Sequence, residues 1–77
     1  MNLVLVQSRM LAAVAYSDDW QQLYLRFRSG DIYCYRGLPV EPHEELLAAD
    51  SKGEYARRHI FNRYPYQRIR SAIRAAS

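Results

Sequence analysis

The feature that most restricts the fold is a strict alternation that ends at a glycine. Over residues 22–28, Leu23, Leu25 and Phe27 fall on one side, and Tyr24, Arg26 and Arg28 on the other. A period of two describes a strand with one buried face, as antiparallel sheets carry. Ser29-Gly30 interrupts it, and Ile32-Tyr33-Cys34-Tyr35 resumes with strand-forming residues, so the two segments read as a hairpin. Two registers are open. A two-residue loop at Ser29-Gly30 sets Phe27 against Ile32 and turns Cys34 to the core side. A three-residue loop, Arg28-Ser29-Gly30, gives Gly30 the positive-φ position of a G1 bulge. Leu25 then faces Tyr33, Leu23 faces Tyr35, and both tyrosines turn inward. The second is preferred because it uses the glycine where a glycine is needed. A slip of one residue would exchange the two faces.

The flanking segments extend this hairpin. Residues 10–16, Met-Leu-Ala-Ala-Val-Ala-Tyr, read as a short strand, and Ser17-Asp18-Asp19 as the turn after it. Gly37-Leu38-Pro39 closes the third strand. Pro42 fits the first turn of a helix, where a missing N–H costs nothing, and Glu41, Glu44 and Glu45 suit its positive end. Ser51-x-x-Glu54 has capping-box spacing for a second helix. Tyr55, Ala56, His59 and Ile60 share one face of it, with Arg57 and Arg58 on the other. Phe61 would fall on its exposed side if the helix continued, so the helix ends near Ile60 to Asn62, and Tyr64-Pro65-Tyr66 is extended because a residue before proline avoids the α region. The expected fold is α+β: a three-stranded antiparallel meander (10–17, 22–28, 31–36) packed against two short C-terminal helices (41–49 and 51–61). The expected core is Leu23, Leu25, Phe27, Tyr33, Tyr35, Leu46, Leu47, Tyr55 and Ile60. Residues 1–77 read as a single domain with its core over 8–70 and frayed ends; residues 67–77 form a last helical turn or an edge strand before fraying.

At 77 residues the chain holds one small core of modest stability. Its single cysteine, Cys34, excludes an intrachain disulfide framework. The apolar run Leu3-Val4-Leu5-Val6 is too short for a signal peptide and has no basic region before it. No segment approaches the roughly 20 apolar residues that span a bilayer. These features suggest a soluble, cytoplasmic protein with no membrane partner.

Charge divides the chain. Residues 1–50 carry four arginines (9, 26, 28, 36) and seven acids (18, 19, 31, 41, 44, 45, 50), 4 − 7 = −3. Residues 51–77 carry seven cations and one acid, 7 − 1 = +6, which restores the net +3. Aromatic residues (Tyr55, Phe61, Tyr64, Tyr66) interleave with those cations. Guanidinium groups fit phosphate and aromatic faces stack on bases. The candidate nucleic-acid-binding residues are therefore Lys52, Arg57, Arg58, Arg63, Tyr64, Arg68 and Arg70. A solvated basic tail explains the same charges equally well.

Catalytic chemistry finds little support. Cys34, His43 and His59 are too few for a zinc site, and neither CxxC nor HxxxH spacing occurs. A Cys34–histidine nucleophile pair is far less plausible than a small apolar strand cysteine. His59 reads as a core or boundary histidine and His43 as an exposed one. Ser51-Lys52-Gly53 lacks the pattern of a phosphate loop. No enzymatic role, no metal and no cofactor are expected. Tyr33-x-Tyr35, two apart on one strand face, is either a stacking platform of the kind sheet-based RNA binders use or part of the core, and the preferred register favours the core.

Taken in order, Leu25-x-Phe27-x-Ser29-Gly30, Tyr33-x-Tyr35, Leu38-Pro39, Leu46-Leu47-x-Ala49, Ser51-Lys52-Gly53-x-Tyr55, His59-Ile60 and Arg63-Tyr64-Pro65-Tyr66 resemble the KTSC domain family. That family takes its name from the C-terminus of some lysyl-tRNA synthetases and also occurs as small free-standing bacterial or phage proteins. The resemblance spans residues 8–70 and implies a single domain with the YxY pair at its centre. Pro42-His43 stands where the family has an apolar and then an aromatic residue, and Ala56-Arg57 where it often has Phe-Asn. The position of Cys34 tends to be polar in the family, which agrees with an outward Cys34 and inward tyrosines. An RNA partner is suggested there only by association with a tRNA-handling enzyme.

Two functions from different classes follow. One is a non-enzymatic binding module for nucleic acid, tRNA or single-stranded RNA, through the basic, aromatic C-terminal half. The other is a protein-interaction or self-associating accessory domain, with another protein or a second copy as partner, that offers Phe61, Tyr64 and a sheet edge.

Overall fold

A computed structural model describes residues 2–70 of the chain. Five strands, β1 (Asn2–Leu5), β2 (Leu11–Ser17), β3 (Gln22–Phe27), β4 (Ile32–Arg36) and β5 (Tyr66–Arg70), form one antiparallel sheet in the order β1-β2-β3-β4-β5. Two helices, α1 (Val40–Ala48) and α2 (Lys52–His59), lie between β4 and β5 in the chain. The α+β class holds, but the meander has five strands instead of three, and of the two readings for the segment after the helices, a helical turn or an edge strand, β5 is the edge strand. β1 corrects the expectation that the N-terminal end frays. Residues 71–77, the other expected frayed end, lie outside the described residues.

The hairpin register follows the glycine. Leu25 pairs with Tyr33 and Leu23 with Tyr35. Gly30 has φ 102°, and its N–H donates to the Phe27 carbonyl at 2.9 Å. The Phe27 N–H in turn donates to the Asp31 carbonyl at 2.9 Å. This is the three-residue loop with its bulge. β2 carries a second irregularity between Leu11 and Ala13. It lets Leu11 join Val14 and Tyr16 on the helix side while Ala13 and Ala15 take the other.

The core lies between one sheet face and the two helices. Leu11, Val14, Leu23, Leu25, Leu38, Leu46 and Ile60 are its largest fully buried side chains. Phe27, Tyr33, Leu47 and Tyr55 pack against it half-buried. Val6, Leu11, Val14, Tyr16, Leu38 and Ala56 join the buried cluster beyond the expected set. Leu38 is held on both sides: its N–H donates to the Gln21 carbonyl at 3.0 Å, and its carbonyl accepts the Tyr16 hydroxyl at 2.6 Å.

His43 is not exposed as expected. Its ring stacks on Tyr16 at 4.7 Å and 14°, and its Nε2 is buried without a hydrogen-bond partner. Burial lowers its pKa, while Glu44 and Asp18 pull the other way. His59 is also corrected. It is exposed at the end of α2, its ring 4.5 Å from that of Tyr55.

At the start of α2, Ser51 Oγ accepts the Glu54 N–H at 3.3 Å. The reciprocal half of the capping box is not used, because the Glu54 carboxylate goes to Arg57 and Arg58. Gly53 is buried where a Cβ would lie 3.2 Å from Met10 Cβ. The glycine thus lets α2 approach the segment that leads into β2.

Candidate nucleic-acid interface

The sequence places four aromatic residues where three elements converge. Tyr33 and Tyr35 come from β4, Tyr66 opens β5, and Phe61 follows α2. Tyr35 and Tyr66 are register partners across β4 and β5. Tyr33 stacks on Tyr66 at 5.3 Å and 20°, and Tyr35 on Phe61 at 5.9 Å and 17°. Phe27 meets Tyr33 edge-on at 5.3 Å. Separations of this kind suit offset and edge-to-face aromatic pairs.

Phe61 reaches this cluster because of how α2 ends. The Ile60 and Phe61 N–H groups both donate to the Ala56 carbonyl, at 2.9 and 2.8 Å, and Asn62 turns the chain at φ 69°. The helix stops before Phe61 can occupy its outer face. The expectation of an exposed Phe61 is therefore corrected: the ring is half-buried against the core. Tyr64, offered as an exposed contact residue, is likewise half-buried against the core.

These rings line an open cavity of about 370 Å³, with Met10, Phe27, Tyr33, Tyr35, Phe61 and Tyr66 around it together with Asn62. Tyr35 is 3% exposed and forms its floor; Tyr66 is 56% exposed. Burial, with Tyr66 and Tyr33 beside it, pushes the Tyr35 hydroxyl up to about 12. It therefore stays a neutral donor throughout the physiological range. Arg68 pairs in register with Tyr33, which puts it on the same sheet face two residues beyond Tyr66. Arg63 is exposed in the turn directly after Asn62. Arg70 is opposite Ile32 at the end of β5.

The remaining predicted cations lie elsewhere. Arg57 and Arg58 are exposed on α2 and share one carboxylate. Arg57 bonds Glu54 through Nε at 3.2 Å and Nη2 at 2.5 Å, and Arg58 through Nε at 2.9 Å. The two guanidinium groups hold the Glu54 carboxyl below the usual range, chiefly by hydrogen bonding. Lys52 Nζ donates to the Ala49 carbonyl at 3.0 Å. Lys52 and Arg57 meet Arg9, Asp50 and Glu54 around a second cavity of about 410 Å³ beside Gly53. The predicted residues thus form two groups: Arg63, Tyr64, Arg68 and Arg70 follow α2 and reach the β5 edge, while Lys52, Arg57 and Arg58 lie on α2 and carry acidic neighbours.

Sequence reasoning named Tyr64, Phe61 and Tyr66 as residues that could stack on bases, but not that Phe61 and Tyr66 would wall one cavity with Tyr33 and Tyr35. The Tyr33-x-Tyr35 pair gave the signal for the floor. Nothing local showed that β5 would return beside it. Among the described residues, no cluster of three or more His, Cys, Asp and Glu side chains could hold a metal ion. Among those residues, no helix is long and apolar enough to cross a membrane.

The chain is 35% identical over 63 residues to a lysine–tRNA ligase of Nostoc sp., a match that covers 82% of this chain and 11% of the ligase. It is 38% identical over 55 residues to a protein of Stutzerimonas stutzeri, covering 71% of this chain and 78% of that one. The crystal structure of a KTSC domain protein from Yersinia pestis superposes with a TM-score of 0.86 at 26% identity, covering 90% of this chain and 97% of that one. The KTSC domain model matches residues 7–64, from the approach to β2 through the turn after α2, so that β1 and β5 flank the matched segment. The chain belongs to the KTSC domain family.

Proposed function

We propose that the protein is a non-enzymatic module that binds single-stranded RNA, with an unpaired base entering the cavity of Tyr33, Tyr35, Phe61 and Tyr66. The observation that carries this reading is an aromatic cavity with arginines beside it. Tyr66 is the most exposed ring of the stack, and Arg68 lies two residues beyond it on the same face. A volume near 370 Å³ falls within the range of about 300–1,000 Å³ typical of small-ligand sites. Base–aromatic stacking is worth about 1–3 kcal/mol per base, and arginine beside the ring adds phosphate contact. The lysine–tRNA ligase kinship supplies an RNA-handling context for a related segment. Such kinship is an association and carries less weight than the cavity.

The reading moves the interface away from the outer face of α2. Arg57 and Arg58 are partly neutralised by Glu54. They add long-range attraction, whereas Arg63 and Arg68 make the contacts beside the base. Fluorescence anisotropy with labelled single-stranded RNA, duplex RNA and single-stranded DNA tests this at two salt concentrations. Tyr66→Ala should weaken single-stranded RNA binding by roughly 5- to 150-fold, the equivalent of about 1–3 kcal/mol. Arg57→Glu with Arg58→Glu should mainly lower the salt dependence. Unchanged affinity in Tyr66→Ala, in a variant that keeps its circular dichroism, would sink the proposal.

A further inference from the structure

We infer that β1 is a homodimerisation edge, at which two copies pair antiparallel about a two-fold axis through Val4 and join their sheets into one. This proposal is independent of the RNA reading, because β1 and β5 are opposite edges of the sheet.

The backbone sets the register. The Val6 N–H donates to the Ala12 carbonyl at 3.1 Å, and Val4 pairs with Val14 two residues earlier. Hydrogen-bonded pairs alternate along an antiparallel ladder. The amide and carbonyl groups of Val4 and Val6 therefore face β2, and those of Leu3 and Leu5 face outward. A second β1 about a two-fold through Val4 sets Leu3 opposite Leu5 of the other copy, and Leu5 opposite Leu3. Both are then hydrogen-bonded pairs, and the outward groups of all four leucines are satisfied.

The side chains agree with that pairing. Leu3 is 65% exposed and Leu5 78%, on the sheet face that carries no helix. Two copies bring four leucines side by side there, and cross-strand apolar pairs are the stabilising unit of a sheet. Val4, 37% exposed, meets its own symmetry mate on the helix side.

Charge selects a second copy as the occupant, and this edge as the one it uses. Residues 2–8 carry no charged side chain, so two chains of net +3 can meet here. β5, in contrast, carries Arg68 and Arg70 and a register shift opposite Ile32–Tyr33. Edge charges and bulges of that kind discourage strand addition. Arg9, Arg26 and Arg28 line a groove at the Leu5 end of β1. Antiparallel pairing sends the two copies' groups to opposite ends of the paired strands, and an axis through Val4 keeps them about two residues farther apart than one through Leu5. Four residues per copy make a small interface of the weak, reversible class. Dimers are expected to accumulate between micromolar and millimolar protein.

Sedimentation velocity over that range tests the proposal, with Leu3→Lys/Leu5→Lys as the blocking variant. Both positions are exposed, so the fold should survive. The wild type should show dimer, and the variant should raise its dissociation constant roughly tenfold or more, since like charges then oppose each other. Register is tested by Val4→Cys in a Cys34→Ala background. Opposed residues of a non-hydrogen-bonded pair have Cα atoms about 4.5 Å apart, within disulfide reach. Oxidised Val4→Cys should run as a covalent dimer well above the yield of Leu3→Cys. A wild type that stays monomeric to millimolar concentration, or equal crosslinking at both positions, would overturn the proposal. So would a monomer whose Leu3 and Leu5 amides gain exchange protection only from an added foreign strand peptide, which would assign the edge to another partner.

Discussion

Replacing Gly53 by alanine puts two known effects in direct opposition. Alanine inside a helix is favoured over glycine by about 1 kcal/mol. At this position, however, the new methyl would lie 3.2 Å from Met10 Cβ, with Met10 Sδ and Cε at 3.6 Å. The end of the methionine side chain can swing away, but its Cβ moves only with the backbone. That backbone is held on both sides: the Met10 N–H donates to Ser8 Oγ at 3.1 Å, and its carbonyl accepts the Arg28 N–H at 2.9 Å. Overpacking against a fixed neighbour costs about 1–3 kcal/mol. The expected net effect of Gly53→Ala is a loss of about 1 kcal/mol. With a denaturant slope near 1 kcal/mol per molar in urea, the unfolding midpoint should fall by about 1 M with unchanged slope. Far-UV circular dichroism is the suitable probe, because Trp20 is 75% exposed. Met10→Gly should reverse the sign, so that in this background Gly53→Ala stabilises. A midpoint that rises in the wild-type background would refute the reasoning and leave Gly53 without a packing role.

Three further perturbations probe other parts of the account. His43→Phe should keep the stack on Tyr16, remove a buried nitrogen that lacks a partner, and raise stability. His43 has a lowered pKa in the folded state, so its contribution is present above the unfolded value of about 6.5 and falls as pH drops below it; urea titrations at descending pH should show a shallower acid limb in the variant. Ser51→Ala should cost about 1 kcal/mol through loss of the bond to the Glu54 N–H, seen as a lower melting temperature. Burial raises Tyr35 to about 12, so the stability it contributes is complete below the unfolded value of about 10 and is lost as pH rises from there towards 12. Absorbance titration of the phenolates should find late ionisation that is reduced by one tyrosine in Tyr35→Phe and not abolished, because Tyr55 is also pushed up to about 12.

The hairpin was legible because Gly30 leaves one good choice. A residue at positive φ and an alternating strand before it fix both the loop length and the inward side of Tyr33 and Tyr35. The capping serine was legible for the same local reason. β1 and β5 were not. Both are edge strands whose pairing depends on partners far along the chain, and neither alternates apolar with polar residues. Leu3-Val4-Leu5 is apolar throughout, and β5 is mostly polar or charged. The stop of α2 near Ile60 was legible, but the exposed place given to Phe61 failed because Asn62 turns the chain and returns the ring to the core, and His59 is exposed at the last residue of α2. The basic residues were read as one patch from their closeness in sequence. Folding divides them, since α2 and β5 carry their cations on different elements and Glu54 claims two of them.

The most direct test is an amide and aromatic NMR titration of the isotope-labelled protein with a short single-stranded RNA at physiological salt. The account predicts that the largest shifts fall on the rings of Tyr33, Phe61 and Tyr66 and on the amides of residues 62–64 and 66–68. Shifts confined to Lys52, Arg57 and Arg58, or none at saturating RNA, would contradict it.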